Sequence, residues 1–132
     1  MTNSDIRYLF KKWVENPTSE SSQQQIQLAL KARGLAPVLY EDKESDGEMM
    51  THATVEGEDT VLKRGLPGSV LPGTMRMEVN NRLQNLGEDY LVNYMTGKVT
   101  WLGSAAFALD EEDTVFFKCH LLPITMNGEE GL

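Results

Sequence analysis

Residues 90–121 read YLVNYMTGKVTWLGSAAFALDEEDTVFFKCHL, and this stretch predicts where the core of the fold is built. Within it, Val115, Phe117, Cys119 and Leu121 occur at every second position, so they would share one face of an extended chain. Alternation with a period of two, bounded by turn residues, is typical of half-buried antiparallel strands. The stretch also holds five of the eight Phe and Tyr residues, which makes it the main source of core side chains.

Other parts of the chain show shorter runs of the same kind. Thr96-Gly97 and the acidic run at 110–113 provide turns between the strands of the last third. Further strands are predicted at residues 38–40, 49–55, 60–63, 74–79, 90–94 and 99–101. The runs at 49–55 and 60–63 have the weakest patterns, so we expect an antiparallel sheet of about five or six strands.

A first helix is predicted over residues 4–15. Its apolar residues recur at i, i+3, i+4, i+7 and i+8 and form one stripe, consisting of Ile6, Leu9, Phe10, Trp13 and Val14. Asn3 or Ser4 is the predicted N-cap, and Asn16-Pro17 ends the helix because a residue before proline is pushed out of the helical region. We expect the stripe to pack on the sheet face of Val115, Phe117 and Leu121.

A second helix is predicted near residues 20–33. Ser21 and Gln24 match the spacing of a capping box, and Gly34 is placed as a left-handed C-terminal cap. The sequence therefore predicts one α+β domain over residues 1–132, with two N-terminal helices packed on the antiparallel sheet. Residues 1–35 would form the helical hairpin, residues 36–125 mainly the sheet, and residues 126–132 an acidic tail.

Composition indicates a globular protein of the cytoplasm. Hydrophobic residues make up 40% and charged residues 24% of 132 residues, which are ordinary values for a folded domain. No apolar run approaches the roughly 18 residues of a membrane span, and the N-terminus lacks the basic-then-apolar order of a secretory signal. A single cysteine, Cys119, cannot form an internal disulfide, which fits a reducing compartment.

The net charge of −8 is unevenly distributed. Residues 1–35 hold five basic and three acidic residues, a balance of +2, and the remainder holds seven basic and 17 acidic residues, a balance of −10. Such a field repels nucleic acid and anionic membranes and attracts basic surfaces. The predicted partner is therefore a protein with a basic surface, such as a nucleic-acid-binding protein whose groove the carboxylates would occupy, with no direct contact to nucleic acid or membrane.

The predicted partner-binding residues lie in three loops. Two acidic turns contribute Glu56, Glu58, Asp59, Asp110, Glu111, Glu112 and Asp113. The third loop repeats Leu66-Pro67-Gly68 as Leu71-Pro72-Gly73, and Pro-Gly favours the middle of a type II turn. A stiff loop loses little entropy on binding, so Leu66 and Leu71 are predicted as apolar contacts.

Catalytic signatures are missing from the sequence. It has no glycine-rich phosphate loop and no Gly-x-Ser-x-Gly elbow. The adjacent Cys119 and His120 would point to opposite faces of a strand, which argues against a shared metal and against a nucleophilic pair. We therefore expect no enzyme activity, no metal and no cofactor, and a non-enzymatic inhibitor or adaptor as the function.

Two alternatives stay open. One is a structural subunit of a larger assembly, such as a virus or phage particle, whose partners would include copies of itself. Because a polar tail is normally disordered, an ordered segment at 126–132 would indicate that a neighbouring subunit or partner holds it. The other is a small enzyme or ligand-binding domain that uses His52 or His120, which would require a closed apolar pocket around one of these histidines.

Overall fold

The computed structural model describes residues 1–42, 57–105, 107–110 and 112–132. Two helices come first, α1 (Asn3–Glu15) and α2 (Glu20–Ala32). The strands of the described residues follow, namely β1 (Val38–Asp42), β2 (Thr60–Val61), β3 (Arg76–Val79), β4 (Arg82–Leu83), β5 (Tyr90–Val92), β6 (Val99–Trp101) and β7 (Val115–Leu121). All their pairings are antiparallel, so the predicted α+β class is confirmed. The strand predicted at 49–55 lies outside the described residues.

The strands form two sheets. One has the order β1-β7-β3-β4 and the other has the order β2-β6-β5. In the four-stranded sheet β7 is central, with Val38 opposite Leu121 and Met77 opposite Phe117. The predicted alternation holds along β7, where Val115, Phe117, Cys119 and Leu121 are all fully buried.

Both sheets contribute to one core, which we call the sheet core. Phe117 and Met77 enter it from the four-stranded sheet, and Tyr90, Val99 and Trp101 enter it from the three-stranded sheet. Because the inner face of β7 is occupied in this way, little of that face is left for a helix to cover.

The two N-terminal helices pack on the sheets as predicted, but the α1 stripe does not cover the sheet face that was expected. The α1 stripe meets α2 and the chain just beyond β7, where Leu122 and Ile124 join Phe10, Trp13 and Leu30 in a second core. Val115, Phe117 and Leu121 belong to the sheet core instead. The prediction that the stripe covers those three residues is therefore wrong, because the three-stranded sheet shares their core.

The helix ends differ slightly from the sequence expectation. Thr2, not Asn3 or Ser4, caps α1, since Thr2 and Asp5 form a reciprocal capping box. Ser19 caps α2 through its side-chain oxygen, which accepts from the Ser22 N–H at 3.2 Å. Gly34 has φ +70, so the predicted left-handed cap at the end of α2 is confirmed.

The Pro-Gly loop agrees with the expectation at one turn. Gly73 has φ +84 and the N–H of Thr74 donates to the carbonyl of Leu71 at 3.3 Å, as in a type II turn. The backbone of Gly68 lies outside the left-handed region, so the prediction of a second type II turn at Pro67-Gly68 is wrong. Leu66 and Leu71 are each only 5% exposed, which removes both as apolar contacts for a partner.

The C-terminal segment is ordered by the chain itself. Thr125 donates its N–H to the carbonyl of Glu129 at 2.7 Å, closing a turn. The side chain of Asn3 donates to the carbonyl of Gly128, and Arg33 pairs with Glu130 at 3.5 Å. Contacts within the chain therefore account for the order of this segment, which does not indicate a neighbouring subunit.

Candidate protein-binding surface

The acidic turn at 110–113 is held by its own carboxylates. The N–H of Asp110 donates to Oδ2 of Asp113 at 3.0 Å, and the N–H of Glu112 donates to Oδ1 of Asp110 at 2.8 Å. The amide of Asn80 donates to the other oxygen of Asp113 at 2.9 Å, which ties the turn to the β3–β4 hairpin. Glu112 is exposed, and Glu111 lies outside the described residues.

The second acidic turn, at 57–59, packs on the end of β6. Oδ1 of Asp59 accepts from the N–H of Gly103 at 2.8 Å. A Cβ on Gly103 would come within 2.5 Å of the Glu58 nitrogen, so only glycine allows this approach. Glu58 and Asp59 are both exposed, and Glu56 falls outside the described part of the chain.

The register of β5 with β6 brings the turn that contains Glu88 and Asp89 to the same end of the three-stranded sheet. Tyr90 and Thr60 both lie opposite Trp101, so Asp59 and Asp89 flank Leu102 in the next row. The N–H of Leu102 donates to the carbonyl of Asp89 at 3.0 Å, as this register requires. Sequence reasoning missed Glu88 and Asp89, because nothing in one dimension placed that turn beside Asp59.

The two acidic turns belong to different strand ends. The turn at 57–59 is fixed to Gly103, and the turn at 110–113 is fixed to Asn80. Among the residues that the structure describes, no hydrogen bond or ion pair joins one turn to the other. The predicted acids are therefore held in place by two different parts of the fold.

Several cations of the described residues form ion pairs away from the two acidic turns. Five ion pairs join described residues, and none includes an acid of the two turns: Arg64–Asp42 at 2.9 Å, Arg76–Glu78 at 3.1 Å, Lys118–Glu41 at 3.3 Å, Arg33–Glu130 at 3.5 Å and Lys12–Glu15 at 3.6 Å. The carboxylates of the turns consequently keep their negative field at the surface.

Arg7 is a buried cation that the sequence placed off the apolar stripe of α1. It is 9% exposed, and one guanidinium nitrogen donates to Oγ of Ser69 at 2.7 Å. Its guanidinium also lies 5.3 Å from the centre of the Phe10 ring. Burial lowers the pKa of Arg7. The positive charge of Arg7 is therefore mostly hidden from a partner.

The histidine alternative has a limited structural basis. His52 lies outside the described residues. His120 lines a cavity of about 200 Å³ together with Trp13, Pro72 and Thr74. This volume is below the roughly 300–1,000 Å³ of typical ligand sites, and no carboxylate is among the lining residues.

Cys119 is fully buried on the inner face of β7, in the sheet core. Burial raises the pKa of its thiol to about 12, so the thiol stays protonated at neutral pH. Because the thiolate is the reactive form, we expect the folded protein to react with a disulfide reagent only as fast as it unfolds. Reaction in guanidinium should be complete within seconds to minutes, and equally fast reaction of the folded protein would contradict the burial.

Comparisons with known proteins add no further assignment. No family model, no curated protein and no solved structure matches this chain. Neither α1 nor α2 is long and apolar enough to cross a membrane, and this holds for every helix in the described residues. Within that same part of the chain, no three His, Cys, Asp or Glu side chains are grouped as metal ligands would be.

Proposed function

We propose that this protein is a non-enzymatic protein-binding module that engages a basic partner, as its inhibitor or adaptor, through the acidic turns at 57–59 and 110–113. The observation that carries the proposal is that four acids of these turns, Glu58, Asp59, Asp110 and Glu112, are exposed, and that none of them is neutralised by a cation among the described residues. A nucleic-acid-binding protein is one partner class with the required positive groove.

The hydrogen bonds within the turns support this role. Asp110 and Asp113 each accept from a backbone N–H of the same turn, so the positions of the charges are set before a partner arrives. Pre-organised groups lose less conformational entropy on binding. Exposed carboxylates also increase the rate of encounter with a positive surface more than they increase final affinity.

The test removes charge without removing these hydrogen bonds. Glu58 and Glu112 are exposed, and no hydrogen bond or ion pair with another described residue uses their carboxylates, so E58Q/E112Q should fold normally. We expect this variant to bind the captured basic partner about fivefold to tenfold more weakly at low salt, mainly through a lower association rate. Association can be followed by surface plasmon resonance.

A matched control carries the same change of net charge at other places. Glu20 and Glu129 are also exposed glutamates, one at the start of α2 and one in the C-terminal segment. We expect E20Q/E129Q to bind within about twofold of the wild type. Equal weakening of both variants would show that only net charge matters, and the site assignment would then be rejected.

A further inference from the structure

The outer face of the three-stranded sheet carries an exposed apolar row. Val61 and Leu91 both lie opposite Thr100, one from each side of β6. Val61 is 50% exposed and Leu91 is 47% exposed, whereas the neighbouring Trp101 points inward and is 2% exposed. Three adjacent strands therefore place two aliphatic side chains and a threonine together at the surface.

Along the strand direction, acidic residues lie on one side of this row and basic residues lie on the other side. Asp59 and Asp89 precede Val61 and Leu91 by two residues, so the alternation of a strand places them on the same outer face. Beyond the row, Lys98 precedes Thr100 by two residues and Lys63 follows Val61 by two residues, and both lysines are exposed. The face is thus acidic at one end, apolar in the middle and cationic at the other end.

We propose that this face binds the same face of a second copy of the chain. A surface that is negative at one end and positive at the other is complementary to itself when one copy is reversed. A uniformly basic partner would meet Lys63 and Lys98, and a uniformly acidic partner would meet Asp59 and Asp89. Only a partner with the opposite order of charges fits, and this chain supplies one.

The arrangement follows from the register. A two-fold axis across the strands, passing over Thr100, reverses the strand direction and places the two apolar rows on each other. Each Lys98 then lies above Leu102 of the other copy, between its Asp59 and Asp89, because Lys98 and Leu102 are equally far from Thr100 in the sequence. An axis parallel to the strands would instead exchange the two outer strands and set Asp59 against Asp89 of the other copy, and repulsion excludes it.

The contact is small, which sets its strength. Three strands spaced by about 4.8 Å place the two outer strands only about 10 Å apart. We expect a face of this width to bury well below the about 800 Å² per partner of standard interfaces. We therefore expect a weak, concentration-dependent dimer with a dissociation constant between about 10 μM and 1 mM. Because charge pairs contribute, association should weaken as salt rises.

Sedimentation equilibrium of the full chain over this concentration range tests the proposal. The variant V61T/L91T keeps residues suited to strands and removes only the apolar row, and we expect its self-association to be at least tenfold weaker. The matched control L39T/L83T changes two leucines that are 52% and 55% exposed on the four-stranded sheet, and it should associate like the wild type. The charge variant K63E/K98E should also be monomeric at low salt. The control K11E/K31E changes two lysines on the helices and should associate like the wild type.

Two outcomes would overturn the inference. If the wild type stays monomeric throughout the range, this face does not bind a second copy. If V61T/L91T and K63E/K98E both still form a dimer, the dimer uses another surface. Circular dichroism of each variant shows whether it is folded. The inference does not rest on the proposed basic partner, since V61T/L91T keeps every carboxylate of the two acidic turns.

Discussion

Replacing Gly97 by alanine is expected to destabilise the protein by more than about 4 kcal/mol, which would leave much of the chain unfolded. Gly97 has φ +79, and a Cβ there would lie 2.5 Å from the carbonyl oxygen of Gly68 and 2.7 Å from that of Leu66. Both obstacles are backbone atoms, so no side-chain rotation relieves the overlap. The Leu66 N–H donates to the carbonyl of Gly97 at 2.8 Å, and this hydrogen bond would have to break.

Gly34→Ala is the matched control for this effect. Gly34 has a similar φ of +70, but nothing lies within 4 Å of an added Cβ. It therefore measures the left-handed conformation alone, for which we expect a loss of about 1–2 kcal/mol. Chemical denaturation of the two variants separates the terms, and equal losses would contradict the close packing of the Gly97 turn on the Pro-Gly loop.

Phe117→Ala is expected to cost about 3–5 kcal/mol, because a fully buried ring in the sheet core is lost and a cavity remains. Phe116 offers a control one residue away, with the same side chain on the opposite face of β7, where it is half-buried. We expect Phe116→Ala to cost clearly less, about 1–2 kcal/mol. Urea midpoints at unchanged slope give both values, and similar losses would contradict the assigned faces of β7.

Local patterns were sufficient for the helices and for β7. The apolar stripe of α1 and the alternation from Val115 to Leu121 are properties of short segments, and the structure bears out the spans of both. Gly34 was also predictable, because a glycine after a helical run is the common left-handed cap.

Long-range arrangement was not predictable in the same way. The division of the strands into two sheets depends on which strands pair, and short alternating runs are compatible with many pairings. For this reason the helical stripe was assigned to the wrong surface. Leu66 and Leu71 were interpreted as exposed from their loop, although the fold buries both.

The candidate surface was predictable only in part. Charge counts identified the acidic turns, but they could not show that Asp59, Asp110 and Asp113 also bind backbone N–H groups. Glu88 and Asp89 join the sheet end only through the register of β5 with β6. The burial of Arg7 was equally hidden, because its partner Ser69 is 62 residues away in the sequence.

Capture of the partner tests the central claim most directly. Tagged wild type and tagged E58Q/E112Q would be incubated with a lysate of the native cell, and bound proteins would be eluted with a salt gradient and identified by mass spectrometry. The account predicts a basic protein that leaves the wild type at moderate salt and leaves the variant at clearly lower salt. A partner that elutes from both at the same salt, or a partner without a basic surface, would contradict the claim.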